Sequence, residues 1–480
     1  MTKRHVHFVA IAGTGMGSLA GLLRSRGFVV TGSDENVYPP MSTSLERWGI
    51  PISIGFRAEN VLAPRPDLVV IGNAVRPSNP EARAVLESGI PYRSFPDALR
   101  EMAIEGRHCV MVAGTHGKTT TTSLVAWLLL ATGRDPSLLV GGIAANFDGS
   151  FRSGSGEHFV VEGDEYDTAF FDKTPKFLHY AARTVLLTSV EFDHADIYRD
   201  LDHVKQAFRA LVASLPRDGT LVAATAHEGV RDVIEKAPCR VVAYRAGASE
   251  GPGFAGEAVE VTAEGTRLRL RRDGGEIGEA WLPMHGRHNV ENAVGALATV
   301  ASLGVPLDDA IRALAGFRGV KRRQEVRGEV RGVTVVDDFA HHPTAVRETV
   351  AGLRQRYAGR RLVSVFEPRT NTSRRRVFQQ EYARAFDGSD RVVVSRVADS
   401  PIYSATGEVT ERFSSDELVE DLRRRGLDAV ALDDPDAIVD DLAASSRAGD
   451  VVLVMSNGAF GNLWEKLLTR LSARPEVSRE

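Results

Sequence analysis

The chain has 480 residues, 43% of them apolar and a quarter charged, enough for about three domains with ordinary hydrophobic cores. Its formal net charge of −4 supplies no global field to recruit nucleic acid or an anionic membrane, so an anionic ligand has to be caught locally. Two cysteines, Cys109 and Cys239, are too few for a disulfide framework or a structural zinc site; they are expected as free buried thiols in a reducing compartment.

Near the start, Lys3 and Arg4 precede a short apolar run that passes straight into a glycine turn rather than a cleavage site. No apolar run approaches the ~20 residues of a membrane span, so a cytoplasmic protein is expected. Residues 6–11 read as a buried strand, 13–17 (GTGMG) as a turn, and 18–26 as a helix. A second strand over 28–31 runs into Gly32, Ser33 and Asp34, placing an acid about twenty positions beyond the turn, as in a dinucleotide-type βαβ unit. Ala10 and Ala12 stand where glycines of a GxGxxG would fall, so the turn alone leaves open a nucleotide site or a plain strand-to-helix connection. A strand over 69–72 ends at Asn73. Ligands of open α/β sheets gather at such strand ends, so a nucleotide here is expected beside Gly13, Thr14, Gly15, Met16, Ser33, Asp34 and Asn73.

Residues 100–108 are polar and charged and mark a first domain boundary. After it, an apolar run over 110–113 meets GTHGKTT at Gly114, and a helical pattern continues over 123–131. Strand, glycine turn and helix start in that order aim unpaired backbone N–H groups and a helix N-terminus at one anionic spot. Gly114 and Gly117 let the backbone approach phosphate without a Cβ, and Thr115, His116 and Thr120 complete the cradle. Lys118 is placed to reach the outer phosphates, and the Thr119 hydroxyl sits where the motif puts a Mg²⁺ ligand. A bound nucleoside triphosphate is expected, although a phosphate loop does not by itself separate motor, switch and bond-forming enzyme.

Two further strands, over 159–161 and 184–190, end in EGDEYD at Glu162 and EFDHAD at Glu191. In a parallel sheet these ends share the edge of the phosphate loop. Glu162 with Thr119 suits a hard cation, and His194 in its neutral form suits a second. Residues 221–284 look β-rich, with a DGG hairpin at Asp273 and a strand, RLRLR from Arg267, that alternates as a half-buried strand with a solvated outer face. GRHNVEN at Gly286 opens an alanine-rich helix, and the charged, glycine-containing residues 318–332 form the second boundary. Strands over 333–336, 361–366, 391–395 and 451–455 then describe a third α/β unit, with DDFAHHP at Asp337 and MSNGAFG at Met455 on strand ends.

Together GTHGKTT, EGDEYD, EFDHAD, GRHNVEN, KRRQE at Lys321, DDFAHHP and MSNGAFG resemble, in this order, the Mur ligase family of ATP-dependent enzymes that build the peptide stem of peptidoglycan. Within it the chain is similar to the branch that accepts UDP-N-acetylmuramate. SDENVYPPMS from Ser33, EGDEYDTAFFDK from Glu162 and EPRTNT from Glu367 look more like the members that add a ready-made tripeptide in cell-wall recycling than like those that add L-alanine.

The resemblance implies an α/β protein of three domains: a Rossmann-like UDP-sugar domain over 1–105, a central P-loop ATPase domain with a β-rich extension over 106–322, and a Rossmann-like C-terminal domain over 323–480 that closes over ATP and binds the peptide. It also implies that ATP phosphorylates the lactyl carboxylate of UDP-N-acetylmuramate, and that the amine of L-alanyl-γ-D-glutamyl-meso-diaminopimelate displaces phosphate from the acyl phosphate. By the same resemblance Lys118 stabilises the migrating phosphoryl group, Thr119 and Glu162 hold one Mg²⁺, and His194 holds the second. Asn289 and Asn292 meet the adenine side of ATP, Arg323 reaches across to the nucleotide, and Asp338 serves its ribose. Arg369, Asn371, Ser456 and Asn457 are the candidates for the tripeptide carboxylates.

Phe208 occupies the position where some relatives carry a carbamylated lysine, with Lys205 out of register, so that modification is not expected. The DNPR motif of relatives that bind free meso-diaminopimelate is absent. The expected partners are small-molecule substrates, with no nucleic acid or membrane, on a monomer or weak homodimer. The competing readings are an L-alanine-adding ligase, a P-loop switch, and an NAD-dependent oxidoreductase using the Gly13 turn.

Overall fold

A computed structural model describes residues 4–39, 41–397, 400–404 and 407–473, so Pro40 of the SDENVYPPMS stretch lies outside the described residues. The first unit is a five-stranded parallel sheet of β1 (His5–Val9), β2 (Val29–Asp34), β3 (Ile52–Ile54), β4 (Leu68–Ile71) and β5 (Tyr92–Ser94), in the order β3-β2-β1-β4-β5. The helix Thr14–Ser25 follows β1 through the glycine turn and buries Leu19, Leu22 and Leu23.

The central sheet has ten strands. They are β6 (His108–Ala113), β7 (Ser137–Ala144), β8 (Gly149–Arg152), β9 (His158–Gly163), β12 (Thr184–Leu187), β13 (Thr220–Ala224), β14 (Arg240–Ala246), β15 (Phe254–Val261), β16 (Thr266–Arg272) and β17 (Gly275–Leu282). Their order is β17-β16-β15-β14-β13-β12-β6-β9-β7-β8. A small hairpin, β10 (Asp167–Ala169) and β11 (Asp172–Pro175), projects after β9. Parallel register sets Ala113 of β6 opposite Gly163 of β9 and Leu187 of β12, so the segments after these three strands leave the sheet side by side. Period-two alternation places Cys109, Met111 and Ala113 on one face of the sheet and Val110 and Val112 on the other.

The first face shares one continuous core with the N-terminal sheet. Phe151 packs edge-on against Trp48 with ring centroids 5.0 Å apart, and Ser18 bonds Ser150 at 2.6 Å. Residues 100–108 are accordingly not a loose linker: Arg100–Ile104 forms a π-helical turn whose Ala103 and Ile104 are buried in that core. The RLRLR strand is β16, with Leu268 and Leu270 buried and Arg267 and Arg269 paired to Glu260, Glu257, Glu276 and Glu279 on a solvated face. Cys109 is buried as expected, whereas Cys239 at a turn is only half-buried.

The third unit contains β18 (Glu325–Val330), β19 (Val333–Asp338), β20 (Leu362–Phe366), β21 (Arg391–Ser395), the short pair β22 (Tyr403–Ser404) and β23 (Gly407–Glu408), β24 (Asp428–Leu432) and β25 (Val451–Met455). Its main sheet runs β18-β19-β25-β20-β21-β24, parallel except for β18. The stretch 318–332 therefore contains a strand of this sheet; as an edge strand with Val326 exposed, β18 lacks the apolar run that marks buried strands. Among the described residues no helix is long and apolar enough to cross a membrane.

Leu186 of β12 is fully buried between the sheet and the helices that cover it. Leu186→Ala is expected to cost about 2–5 kcal/mol in the urea unfolding transition that includes the central domain, monitored by circular dichroism.

Candidate active site

The phosphate loop follows β6, and the helix Lys118–Ala131 starts directly after Gly117. Gly114 and Gly117 take φ of +131° and +78°, and a Cβ on Gly114 would lie 2.2 Å from Thr188 Oγ1. The loop is pinned to the segment after β12: Thr115 N donates to Ser189 O at 2.9 Å, His116 N to Ser189 Oγ at 2.9 Å, and Thr188 Oγ1 to His116 O at 2.6 Å.

Lys118 Nζ donates to both oxygens of Glu165, at 2.9 and 2.8 Å, and to Gly114 O at 2.7 Å. Glu165, which is buried, also lies 3.2 Å from Nε2 of the half-buried His194. Burial pushes the Glu165 carboxyl up, but Lys118 and His194 more than offset it and leave it lowered. Burial alone would lower His194; Asp193 and Glu165 lift it instead to about 9. The neutral imidazole expected for a metal ligand is thus not the form this arrangement favours, because two carboxylates flank the ring, and a cation there would have to displace a proton. His194 also holds φ of +54°, a left-handed conformation a non-glycine residue adopts at a cost, and its ring lies 4.2 Å from that of Tyr166.

On the other side of the loop, Thr119 Oγ1 donates to Glu162 Oε1 at 3.0 Å and Gly141 N donates to Glu162 Oε2 at 2.8 Å. Burial raises the Glu162 carboxyl, and these neutral donors and the more distant Lys118 only partly counter it. A desolvated carboxylate beside a threonine hydroxyl is a hard-oxygen pair of the kind Mg²⁺ takes, so these residues fit the ion.

The nucleotide candidates divide. Asn292 lies under the loop, its Oδ1 2.6 Å from where a Gly117 Cβ would sit, and it donates to Asn289 at 3.2 Å. Asn289 is buried and donates to His285 O, just before the start of its own helix, Arg287–Ser302. Arg323 stands over the Phe339 ring at 5.1 Å. Asp338 is buried and organises the turn that presents Arg323: its Oδ2 accepts from Gln324 N and its Oδ1 from Ala340 N and Thr349 Oγ1. Beside these residues a cavity of about 330 Å³ is lined by Met284, His285, Lys321, Arg323 and Gln324. A larger recess of about 620 Å³, at Leu86, Tyr92 and Phe171, touches none of the candidate residues.

In the N-terminal unit Gly13 and Thr14 are exposed at the helix start, with Gly15 half-buried and Asn73 exposed at the end of β4. Asp34 is committed to the turn, accepting from Ala12 N at 2.9 Å and Asn36 N at 3.1 Å. Ser33 is fully buried and its hydroxyl donates to the buried Glu81 at 2.5 Å, so the expected side-chain contact is not available. Met16 is likewise buried and shapes the turn from beneath.

Of the peptide candidates, Arg369 is exposed and lies across Gly458, where a Cβ would be 1.8 Å from its Nη1. Asn371 bridges to Asp196 of the central domain at 3.4 Å. Asn457 Oδ1 is buried without a partner among the described residues. Ser456 is buried and its hydroxyl donates to Glu367. Phe208 is a core residue against Phe177, and Lys205 pairs with Asp232 at 2.7 Å.

Two features have no counterpart among the expected residues. Glu165 was visible only as one acid among several in EGDEYD. The seam to the C-terminal domain is built on the EFDHAD segment: Ala195 N donates to Thr372 Oγ1 at 3.0 Å, Arg375 Nη1 to Ala195 O at 3.0 Å, and Thr344 Oγ1 to Glu191 Oε2 at 2.7 Å.

Residues 5–107 match the Mur ligase family, catalytic domain; residues 112–300 the Mur ligase middle domain; and residues 322–458 the Mur ligase, glutamate ligase domain. The UDP-N-acetylmuramate–L-alanyl-γ-D-glutamyl-meso-2,6-diaminoheptandioate ligase of Escherichia coli K12 is 40% identical over 99% of this chain and 100% of its own length. The UDP-N-acetylmuramate–L-alanine ligase of Sorangium cellulosum is 36% identical over 98% of this chain and 97% of its own. A crystal structure of a murein peptide ligase from Psychrobacter arcticus 273-4 superposes with a TM-score of 0.72 at 33% identity, covering 99% of this chain and 100% of that one. This chain therefore belongs to the Mur ligase family, the ATP-dependent ligases that form an amide bond.

Proposed function

We propose that the chain joins the lactyl carboxylate of UDP-N-acetylmuramate to the amino group of L-alanyl-γ-D-glutamyl-meso-diaminopimelate, with ATP converted to ADP and phosphate, in the recycling of peptidoglycan. The observation that carries this reading is the 40% identity, end to end, with the E. coli ligase named for that reaction. The second reading, L-alanine as acceptor, draws on the 36% identity to the S. cellulosum enzyme.

In the proposed mechanism a carboxylate oxygen attacks the γ-phosphorus and ADP leaves; the acceptor amine then attacks the acyl carbon, and phosphate leaves with that oxygen. Such chemistry asks the protein mainly for positioning and charge neutralisation. Lys118 exchanges its bond to Glu165 for a phosphate oxygen, and Glu165 keeps the released charge balanced through His194. Thr119 and Glu162 would hold Mg²⁺, with His194 as the candidate for a second ion; when bound, the metal neutralises phosphate charge. Gly114 through Thr120 supply backbone N–H groups, Asn292 supports the loop from below, and Arg323 contacts the nucleotide from the C-terminal side. Gly13, Thr14, Gly15 and Asn73 form the UDP-sugar contact, and Arg369 with Asn371 and Asn457 receives acceptor carboxylates. Contact between the domains keeps water from the acyl phosphate.

Purified protein given UDP-N-acetylmuramate, ATP and Mg²⁺ is expected to turn over the tripeptide with far higher kcat/KM than L-alanine; ligation of L-alanine with none of tripeptide would overturn the choice of acceptor. Lys118→Ala is expected to lower kcat by at least about a hundredfold while leaving UDP-sugar affinity largely unchanged by calorimetry. Gly117→Ala forces a Cβ against Asn292 at φ of +78°; strain of about 1–3 kcal/mol should weaken ATP binding by roughly tenfold or more in the same assay.

A further inference from the structure

Three side chains distant in sequence meet where the phosphate loop touches the C-terminal domain. They are His116 of the loop, Glu191 after β12, and His342, the residue preceding the helix Pro343–Arg356. Glu191 Oε2 lies 3.3 Å from His116 Nε2 and 3.9 Å from His342 Nδ1, and the three donor atoms fall within 4.8 Å of one another. Ligands at about 2.0–2.1 Å around a tetrahedral zinc ion are separated by roughly 3.3 Å, so only small side-chain shifts are needed to close this triangle on an ion.

The surroundings prepare the donors. His342 is buried and its Nε2–H donates to Phe192 O at 3.1 Å, which fixes the tautomer and leaves the Nδ1 lone pair on the Glu191 side. An imidazole ligand oriented by a backbone carbonyl behind it is the usual outer arrangement of a metal-bound histidine. Nδ1 at present caps Thr344 N at 3.3 Å, a long bond that an ion would readily displace. Thr344 Oγ1 donates to Glu191 Oε2 at 2.7 Å and holds the carboxylate.

We propose that His116 Nε2, Glu191 Oε2 and His342 Nδ1 bind a borderline divalent cation of the zinc class, with water in the fourth position, and that the ion staples the phosphate loop to the C-terminal domain. Two imidazoles and one carboxylate suit zinc, whereas the Thr119–Glu162 pair offers oxygen alone and suits magnesium. A staple across the seam opposes domain separation, so zinc inhibits turnover even when magnesium is saturating. This inference concerns binding and holds for either acceptor.

The test uses the full-length protein, treated with chelator and supplied with excess Mg²⁺, then titrated with Co²⁺ for the visible spectrum of a four-coordinate site and with Zn²⁺ against a chromophoric chelator. One equivalent is expected in the wild type and in His194→Ala, lost in His342→Gln and Glu191→Gln, and weakened about ten- to a hundredfold in Thr344→Val, which removes only the carboxylate's support. Zinc inhibition, normalised to each protein's zinc-free rate, should weaken in the same order. Should His342→Gln or Glu191→Gln fail to fold by circular dichroism, Thr344→Val and the zinc-dependent rise in wild-type Tm decide. No tight equivalent in the wild type, binding undiminished in Thr344→Val, or a site lost in His194→Ala but kept in His342→Gln would overturn the proposal.

Discussion

Lys118 is held at the end of β6 by Glu165, and Glu165 in turn holds His194. Two half-buried cations lie side by side because the carboxylate between them bonds both, and removing it would leave each with only its more distant acids, Asp164 and Glu162 for Lys118 and Asp193 for His194. Much of the central domain's design follows from placing that group: parallel register brings the segments after β6, β9 and β12 to one edge, and the glycine turn lets the loop pack against Thr188, Ser189 and Asn292 with no Cβ between.

The two domain seams differ in kind. The N-terminal and central units share an apolar core, with Phe151 against Trp48, and separating them would expose that surface to water. The C-terminal unit has its own cores and meets the central one through hydrogen bonds, Thr372 to Ala195, Arg375 to Ala195 and Thr344 to Glu191, together with ring contacts of Phe378 with Phe192 and of His342 with His116. Polar contacts of that kind exchange with water at small net cost, so this seam is held less firmly than the one with the shared apolar core.

Much of this was legible in the order of residues. The phosphate loop, its strand and its helix are contiguous, so GTHGKTT carried Lys118 and Thr119 without reference to the rest of the fold. Glu162 followed because it ends a buried strand. What stayed hidden depends on contacts across long separations. Ser33 spends its hydroxyl on Glu81, and Asp338 spends its oxygens on the turn around Gln324, facts that no local spacing encodes. Glu165 was one of several acids after β9, and which of them faces the lysine is decided by how the chain leaves the sheet. The edge strand β18 was read as part of a linker because one face is solvated and its apolar signal is thin.

The central claim is that the cleft beside Lys118 activates a carboxylate by transferring phosphate to it. Turnover of UDP-N-acetylmuramate carrying ¹⁸O in both lactyl carboxylate oxygens, with mass analysis of the released phosphate, tests this directly. The account predicts one labelled oxygen in each phosphate for every amide bond formed. Amide product accompanied by unlabelled phosphate would contradict it.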